Sequence, residues 1–144
     1  MARAKYRDET EDHLAFLRDG GHPLLPPEER ALRPHLPGAR VVHLQCSHGL
    51  DTLGLLNAGA ARVTGLDISG EMIRLAREKT RALGWSATFV RSDVLDPPEE
   101  LLGSADLVYT GKGALPWVMD LAAWAGAVAR VVRPVGRVWV FEGH

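Results

Sequence analysis

An α/β fold built on a doubly wound, mostly parallel sheet is the architecture this sequence predicts. Three observations point to it. Strand-like and helix-like segments alternate from about residue 39 onward, the order that gives parallel strands joined by crossover helices. Val41-Val42-His43-Leu44 reads as a buried strand, Gln45-Cys46-Ser47-His48-Gly49 as a tight turn, and Leu50-Asp51-Thr52-Leu53 as the opening of a helix. Eighteen positions after Gly49, Asp67 closes a second strand-like run, Arg62-Val63-Thr64-Gly65-Leu66.

Each element has its own signal. Residues 8–18 and 27–33 read as two short helices separated by Gly20-Gly21-His22-Pro23, forming a lid or a packing layer ahead of the sheet. Strands are expected at 40–44, 62–66, 87–91, 105–109 and 137–142. The helix after the first strand carries Leu50, Leu53 and Leu56 at helical spacing and stops near Gly59. Ser69 is a natural N-cap for the next helix, with Ile68 and Ile73 spaced for a hydrophobic staple. Met72, Ala76, Thr80 and Leu83 line one face and Gly84 ends it. A helix over 121–132 puts Trp124, Val128 and Val131 on one stripe and meets Pro134.

The 144 residues suit one domain, with a helical segment at 1–38 and a core at 39–144. Seventeen Lys and Arg against 18 Asp and Glu give no basic surplus to favour nucleic acid or an anionic membrane. No stretch approaches the roughly 20 apolar residues of a membrane span, and no apolar signal segment follows the N-terminus, so a cytoplasmic protein is expected. Cys46 is the single cysteine, which excludes an intrachain disulfide and a cysteine-based zinc site; it reads as a small buried hydrophobe. The six histidines show no metal-ligand spacing, so no metal is expected. Trp117, Trp124 and Trp139 read as core or interface, and Gly111-Lys112-Gly113 as a loop.

The turn and the strand ends carry the chemistry. A helix N-terminus offers free N–H groups to an anion, and a carboxylate at the next strand tip accepts from ribose hydroxyls. A dinucleotide fingerprint needs three glycines so that the backbone can approach a pyrophosphate. This loop keeps only Gly49, and Gln45 and Ser47 would instead donate to a smaller anion such as a carboxylate. His48 is expected either to polarise the helix start or to lie near that carboxylate. In Thr88-Phe89-Val90-Arg91-Ser92-Asp93-Val94, Asp93 can accept from an adenine amino group while the Val94 N–H donates to a ring nitrogen. With Asp67 on the ribose, an adenosine is accounted for.

These motifs resemble the class I S-adenosylmethionine-dependent methyltransferases over residues 36–144. Val-Val-His-Leu-Gln-Cys-Ser-His-Gly stands where that family has its glycine-rich first motif, and Thr-Gly-Leu-Asp-Ile-Ser at 64–69 matches its ribose-binding strand end. Phe-Val-Arg-Ser-Asp-Val matches the adenine segment, Ala-Asp-Leu-Val-Tyr-Thr the fourth strand, and Arg-Val-Val-Arg-Pro-Val-Gly-Arg the turn into the fifth. The wording around Leu-Gln-Cys, Gly-Leu-Asp-Thr-Leu and Phe-Glu-Gly-His is similar to a subgroup acting on small molecules. The resemblance implies a Rossmann-like sheet of order 3-2-1-4-5 with helices on both faces, and S-adenosylmethionine as cofactor. Gln45, Ser47, His48, Gly49, Asp67, Ile68, Met72, Asp93, Val94 and Thr110 are its expected contacts.

Four positions depart from the family's pattern. Gln45, Ser47 and Val135 stand where glycine is usual, and glycine takes a positive φ without strain. His43 replaces a usual acid. Tyr109 or Thr110 is expected to face the methyl group, with Glu142 and His144 nearest the acceptor; no catalytic base is legible. Family members add an antiparallel hairpin after the fifth strand, which is not expected here. Val138 to Phe141 is wholly apolar and suits a strand buried on both faces. Self-association as a homodimer near the fifth strand is therefore expected, or else a short form with little turnover. The same residues also fit a catalytically incomplete cofactor-binding or structural domain.

Overall fold

The computed structural model describes residues 2–110 and 121–140. Five strands, β1 (Arg40–Leu44), β2 (Arg62–Asp67), β3 (Thr88–Arg91), β4 (Ala105–Thr110) and β5 (Val132–Val140), run side by side in the order β3-β2-β1-β4-β5. All four pairings are parallel. The expected fold class and strand order are both found. Every carboxyl end therefore opens on the same side, and the order reverses between β1 and β4, where such sheets bind ligands.

Helices cover both faces. On one lie α1 (Ala2–Arg18), α2 (Pro26–Leu32), α3 (Leu50–Asn57) and α4 (Gly70–Leu83); on the other lies α5 (Leu121–Val131). Alternation along each strand divides the core accordingly. Val41, Val63, Leu107 and Tyr109 pack with Leu24, Leu32, Leu36 and Leu55. Val42, Leu44, Leu66 and Val108 pack with Trp124, Val128 and Val131, the stripe expected on α5. Leu17 of α1, Leu53 of α3 and Ile73 and Ala76 of α4 meet Cys46 and Phe89 in a third cluster, so the leading segment packs against the core helices.

The caps follow the residues that specify them. Ser69 Oγ accepts from the Met72 amide at 3.2 Å, and Gly84 closes α4 in the left-handed conformation. The Ile68–Ile73 staple does not close: Ile73 is buried, but Ile68 is 65% exposed at the mouth of the strand ends. The reason lies in Asp67, which takes the Ser69 amide at 2.9 Å and turns the chain so that Ile68 points outward.

The fifth strand differs most from expectation. It begins at Val132, which pairs with Ala105. Residues 133–136 then bulge before Arg137 to Val140 pair with Leu107 to Thr110. Pro134 lacks the N–H a ladder needs, Val135 is left-handed (φ 59°), and a Cβ on Gly136 would meet Val132 Cγ2 at 2.6 Å. Arg133 pairs with Asp106, which also accepts the Arg40 amide at 2.8 Å, tying the bulge to the amino ends of β4 and β1. Burial on both faces is not observed: Val138 is 44% exposed, and among the described residues β5 pairs on one edge only. An apolar run reports strand propensity, not how many layers cover the strand. Lys112, Trp117, Phe141, Glu142 and His144 lie outside the described residues.

Candidate functional site

The turn after β1 is held in an alternating backbone. Gln45, Ser47 and Gly49 all have positive φ, at 56°, 54° and 84°. The two residues that replace glycine adopt the glycine conformation, at a cost of roughly 1–2 kcal/mol each. Its anchors explain why it holds. The Cys46 amide extends the β1–β2 ladder to the Leu66 carbonyl at 2.9 Å, and the Ser47 amide donates to Asp67 Oδ2 at 2.8 Å. Gly49 has no room for a side chain, since a Cβ would meet that of Ala76 at 2.7 Å. Cys46 Sγ is buried and its thiol is pushed up to about 12 by burial and by Asp67, so it stays an unreactive thiol, as expected.

Asp67 is the hub. Its two oxygens take one backbone amide each, from Ser47 and Ser69, which fixes the carboxylate at the tip of β2. Each oxygen keeps a lone pair for a further donor. Ser47 Oγ reaches Met72 Sδ at 3.5 Å, and the Ser92 amide donates to the Asp67 carbonyl at 2.9 Å. The structure thus brings Ser47, Asp67, Ile68, Met72 and the start of the segment after β3 to one rim. Asp93 follows that start, where its Oδ1 caps the turn by accepting the Leu95 amide at 2.9 Å. Val94 packs partly on the α5-side core. Thr110 ends β4 opposite Leu44, fully buried, and its Oγ1 has no partner among the described residues.

His48 faces α1. Its ring stacks on His13 with centroids 4.8 Å apart, and its carbonyl accepts from Lys79 Nζ at 3.0 Å. Burial and then Lys79 lower the His48 pKa to about 4; burial lowers Lys79 to about 8. Sequence reasoning missed both partners. Lys79 stands three residues after Ala76 on the buried stripe of α4, a signal that was present. No sequence signal pairs His13 with His48.

His43 is also buried. Its Nδ1 lies 2.7 Å from Thr52 Oγ1 and its ring meets Tyr109 edge-on at 5.0 Å. Burial drives its pKa to about 3, so the imidazole is neutral where an acid is usual. Tyr109 lies wholly within the core between sheet and α2–α3, and burial raises its hydroxyl pKa. Among the described residues no group of three His, Cys, Asp or Glu is placed to hold a metal ion. No helix among them is long and apolar enough to cross a membrane.

The family described as "Methyltransferase domain" matches residues 41–136. The ubiquinone biosynthesis O-methyltransferase of Xanthomonas campestris pv. campestris (strain B100) is 32% identical over 110 residues, covering 76% of this chain and 45% of the relative. The enzyme of the same name from Vibrio campbellii is 30% identical over 102 residues, with coverage of 71% and 43%. The chain thus spans less than half the length of these curated relatives. An S-adenosylmethionine-dependent methyltransferase from Mesorhizobium loti superposes with a TM-score of 0.67 at 31% identity, over 82% of this chain and 52% of that one. A protein solved for the conversion of a disulfide bond into a thioacetal group in echinomycin biosynthesis gives 0.68 at 33%, over 79% and 49%.

Proposed function

The chain belongs to the class I S-adenosylmethionine-dependent methyltransferases, and from that premise we propose that it transfers a methyl group from S-adenosylmethionine to a small-molecule acceptor. The observation that carries this reading is Asp67, clamped by two backbone amides at the tip of β2 beside a left-handed turn and the exposed Ile68. A fixed, half-buried carboxylate with spare lone pairs suits a ribose, and an apolar side chain next to it suits the face of an adenine. The orphaned Thr110 hydroxyl, at the end of β4, supports a polar ligand at the same rim.

The residues have distinct tasks in this reading. Asp67 holds the ribose hydroxyls, Ile68 and Met72 flank the base, and Asp93 and the Val94 amide read its edge. Gln45, Ser47, His48 and Gly49 receive the amino-acid end. His48 contributes through its place in the turn, its ring being stacked on His13. Thr110 lies towards the reacting end. When bound, the cofactor supplies a methyl group on a cationic sulfur, so the protein's work is to align the acceptor and exclude water. Asp93 is already the cap of its own turn, so its substitution affects both stability and binding.

The same reading takes the chain as one domain, a helical segment at 1–38 and a cofactor-binding core at 39–144. We place it in the cytoplasm, supported by a near-neutral charge and a single free thiol. It is a homodimer through the exposed Val138 and Val140 on β5. A second reading, a cofactor-binding domain without turnover, is favoured by the strained Gln45 and Ser47 and by neutral His43. Calorimetric titration with S-adenosylhomocysteine and with NADH tests the first. Binding of the former alone is expected, and binding of neither removes it. Transfer of a labelled methyl group then separates an active enzyme from a binding domain.

A further inference from the structure

Lys79 of α4 is a buried cation, 2% exposed, and no carboxylate among the described residues is in salt-bridge contact with it. Lysine is almost never fully buried unless it is paired. Its Nζ donates instead to a backbone oxygen, the His48 carbonyl, at 3.0 Å.

That bond falls inside the turn after β1. The carbonyl of His48 and the amide of Gly49 belong to one planar peptide, and the plane is held at both ends. Lys79 holds its oxygen, while the Gly49 N–H donates to the Cys46 carbonyl at 3.2 Å. Gly49 is also the N-cap of α3, left-handed at φ 84°, and its own carbonyl accepts the Leu53 amide at 2.9 Å. Fixing this plane fixes where the first turn of α3 aims the N–H groups that have no partner within the helix, the groups that attract an anion.

α1 closes over the same point. The His13 ring stacks on the His48 ring with centroids 4.8 Å apart, and Leu17 packs with Ile73 and Ala76 on the stripe of α4 that leads to Lys79. The charged and titratable groups acting on the ammonium are Glu78 of its own helix, Glu9 and His13 of α1, and His48 of the turn. Burial lowers its pKa to about 8, so it is still an ammonium at neutral pH. A cation sealed from water gains most from a countercharge, and a carboxylate bound at the turn supplies one.

We propose that Lys79 is a positioning residue for the cofactor's amino-acid end: it fixes the His48–Gly49 peptide and sets a buried positive charge beside the turn that receives the carboxylate. The proposal rests on the methyl-transfer reading, in which Gln45, Ser47, His48 and Gly49 take that end, and it adds a residue acting on the cofactor through the turn.

Lys79→Met keeps an unbranched side chain and removes the charge and the donor. Calorimetry on the full chain compares S-adenosylhomocysteine with methylthioadenosine, a thioether nucleoside without the amino-acid end. Lys79→Met is expected to weaken the first at least about tenfold and the second less than about twofold. A residue that only holds the fold would weaken both alike. The pH profile is a second readout. The wild type's advantage over Lys79→Met for S-adenosylhomocysteine is full below about pH 8 and shrinks above it, as the ammonium loses its proton. Titration of the ligand's own amine cancels between the two proteins. Should Lys79→Met not fold, Lys79→Arg stays charged and is expected to keep its S-adenosylhomocysteine affinity above that pH while the wild type falls behind it. Equal losses for the two ligands, no loss for either, or a wild-type advantage independent of pH would overturn the proposal, as would an arginine variant that falls in step with the wild type. Wild-type binding of S-adenosylhomocysteine is measured first, so failure here with that binding intact leaves the methyl-transfer reading standing.

Discussion

Gln45, Ser47 and Val135 hold backbone conformations that glycine adopts freely, and they do so for different returns. Val135 is 89% exposed and β-branched, so its side chain has little packing to lose. Val135→Gly is expected to stabilise the protein by about 1 kcal/mol, the relief of left-handed strain less the added freedom of the unfolded chain. Chemical denaturation measures it, and a destabilised variant would show that the bulge needs the valine. Gln45→Gly and Ser47→Gly carry a sharper question, since the turn also receives the cofactor in our account. If the side chains contact its amino-acid end, both variants gain stability and lose S-adenosylhomocysteine affinity. A gain in both, seen by thermal shift with and without ligand, would make the side chains mere survivors of a glycine turn.

The packing of α1 on the turn links a helix to the protonation of two rings. His13 and His48 stack, with Lys79 beneath and Glu9 and Asp12 on the α1 side. His43 is neutral deeper in the core. A histidine whose folded pKa lies below its ordinary 6.5 binds fewer protons folded than unfolded between the two values, so stability rises with pH there. Stability is therefore full above about pH 6.5 and is lost as pH falls towards about 4 for His48 and about 3 for His43. His13→Phe keeps an aromatic ring on His48 and removes one base, so its melting temperature should fall less steeply between pH 6.5 and pH 4.5. A slope equal to that of the wild type would mean that His13 takes no part. At this scale the chain was legible where a signal is local: Ser69 and Gly84 cap α4, and the α5 stripe is buried, as their residue types demand. It was not legible where partners are distant. Neither the His13–His48 stack nor the exposure of β5 depends on anything adjacent in sequence.

For the whole molecule, the parallel sheet and its order follow from the alternation of strands and crossover helices, and they bring Gln45–Gly49, Asp67 and Thr110 to one side. The hydrophobic pattern determined which residues enter the core. It could not show that Asp67 already takes two backbone amides, which is a property of the folded loop. The edge of β5 is unpaired among the described residues, with Val138 and Val140 exposed, and an open strand edge can pair with another chain, as in the homodimer we propose. Val138→Lys is expected to shift the protein towards monomer in sedimentation at micromolar concentration, and an unaltered distribution would move the contact elsewhere. Asp67, clamped by two backbone amides, carries the proposed cofactor site. Titration of S-adenosylhomocysteine into folded Asp67→Ala should give a dissociation constant raised at least about tenfold, the loss of charge-assisted hydrogen bonds to ribose; an unchanged constant would contradict it.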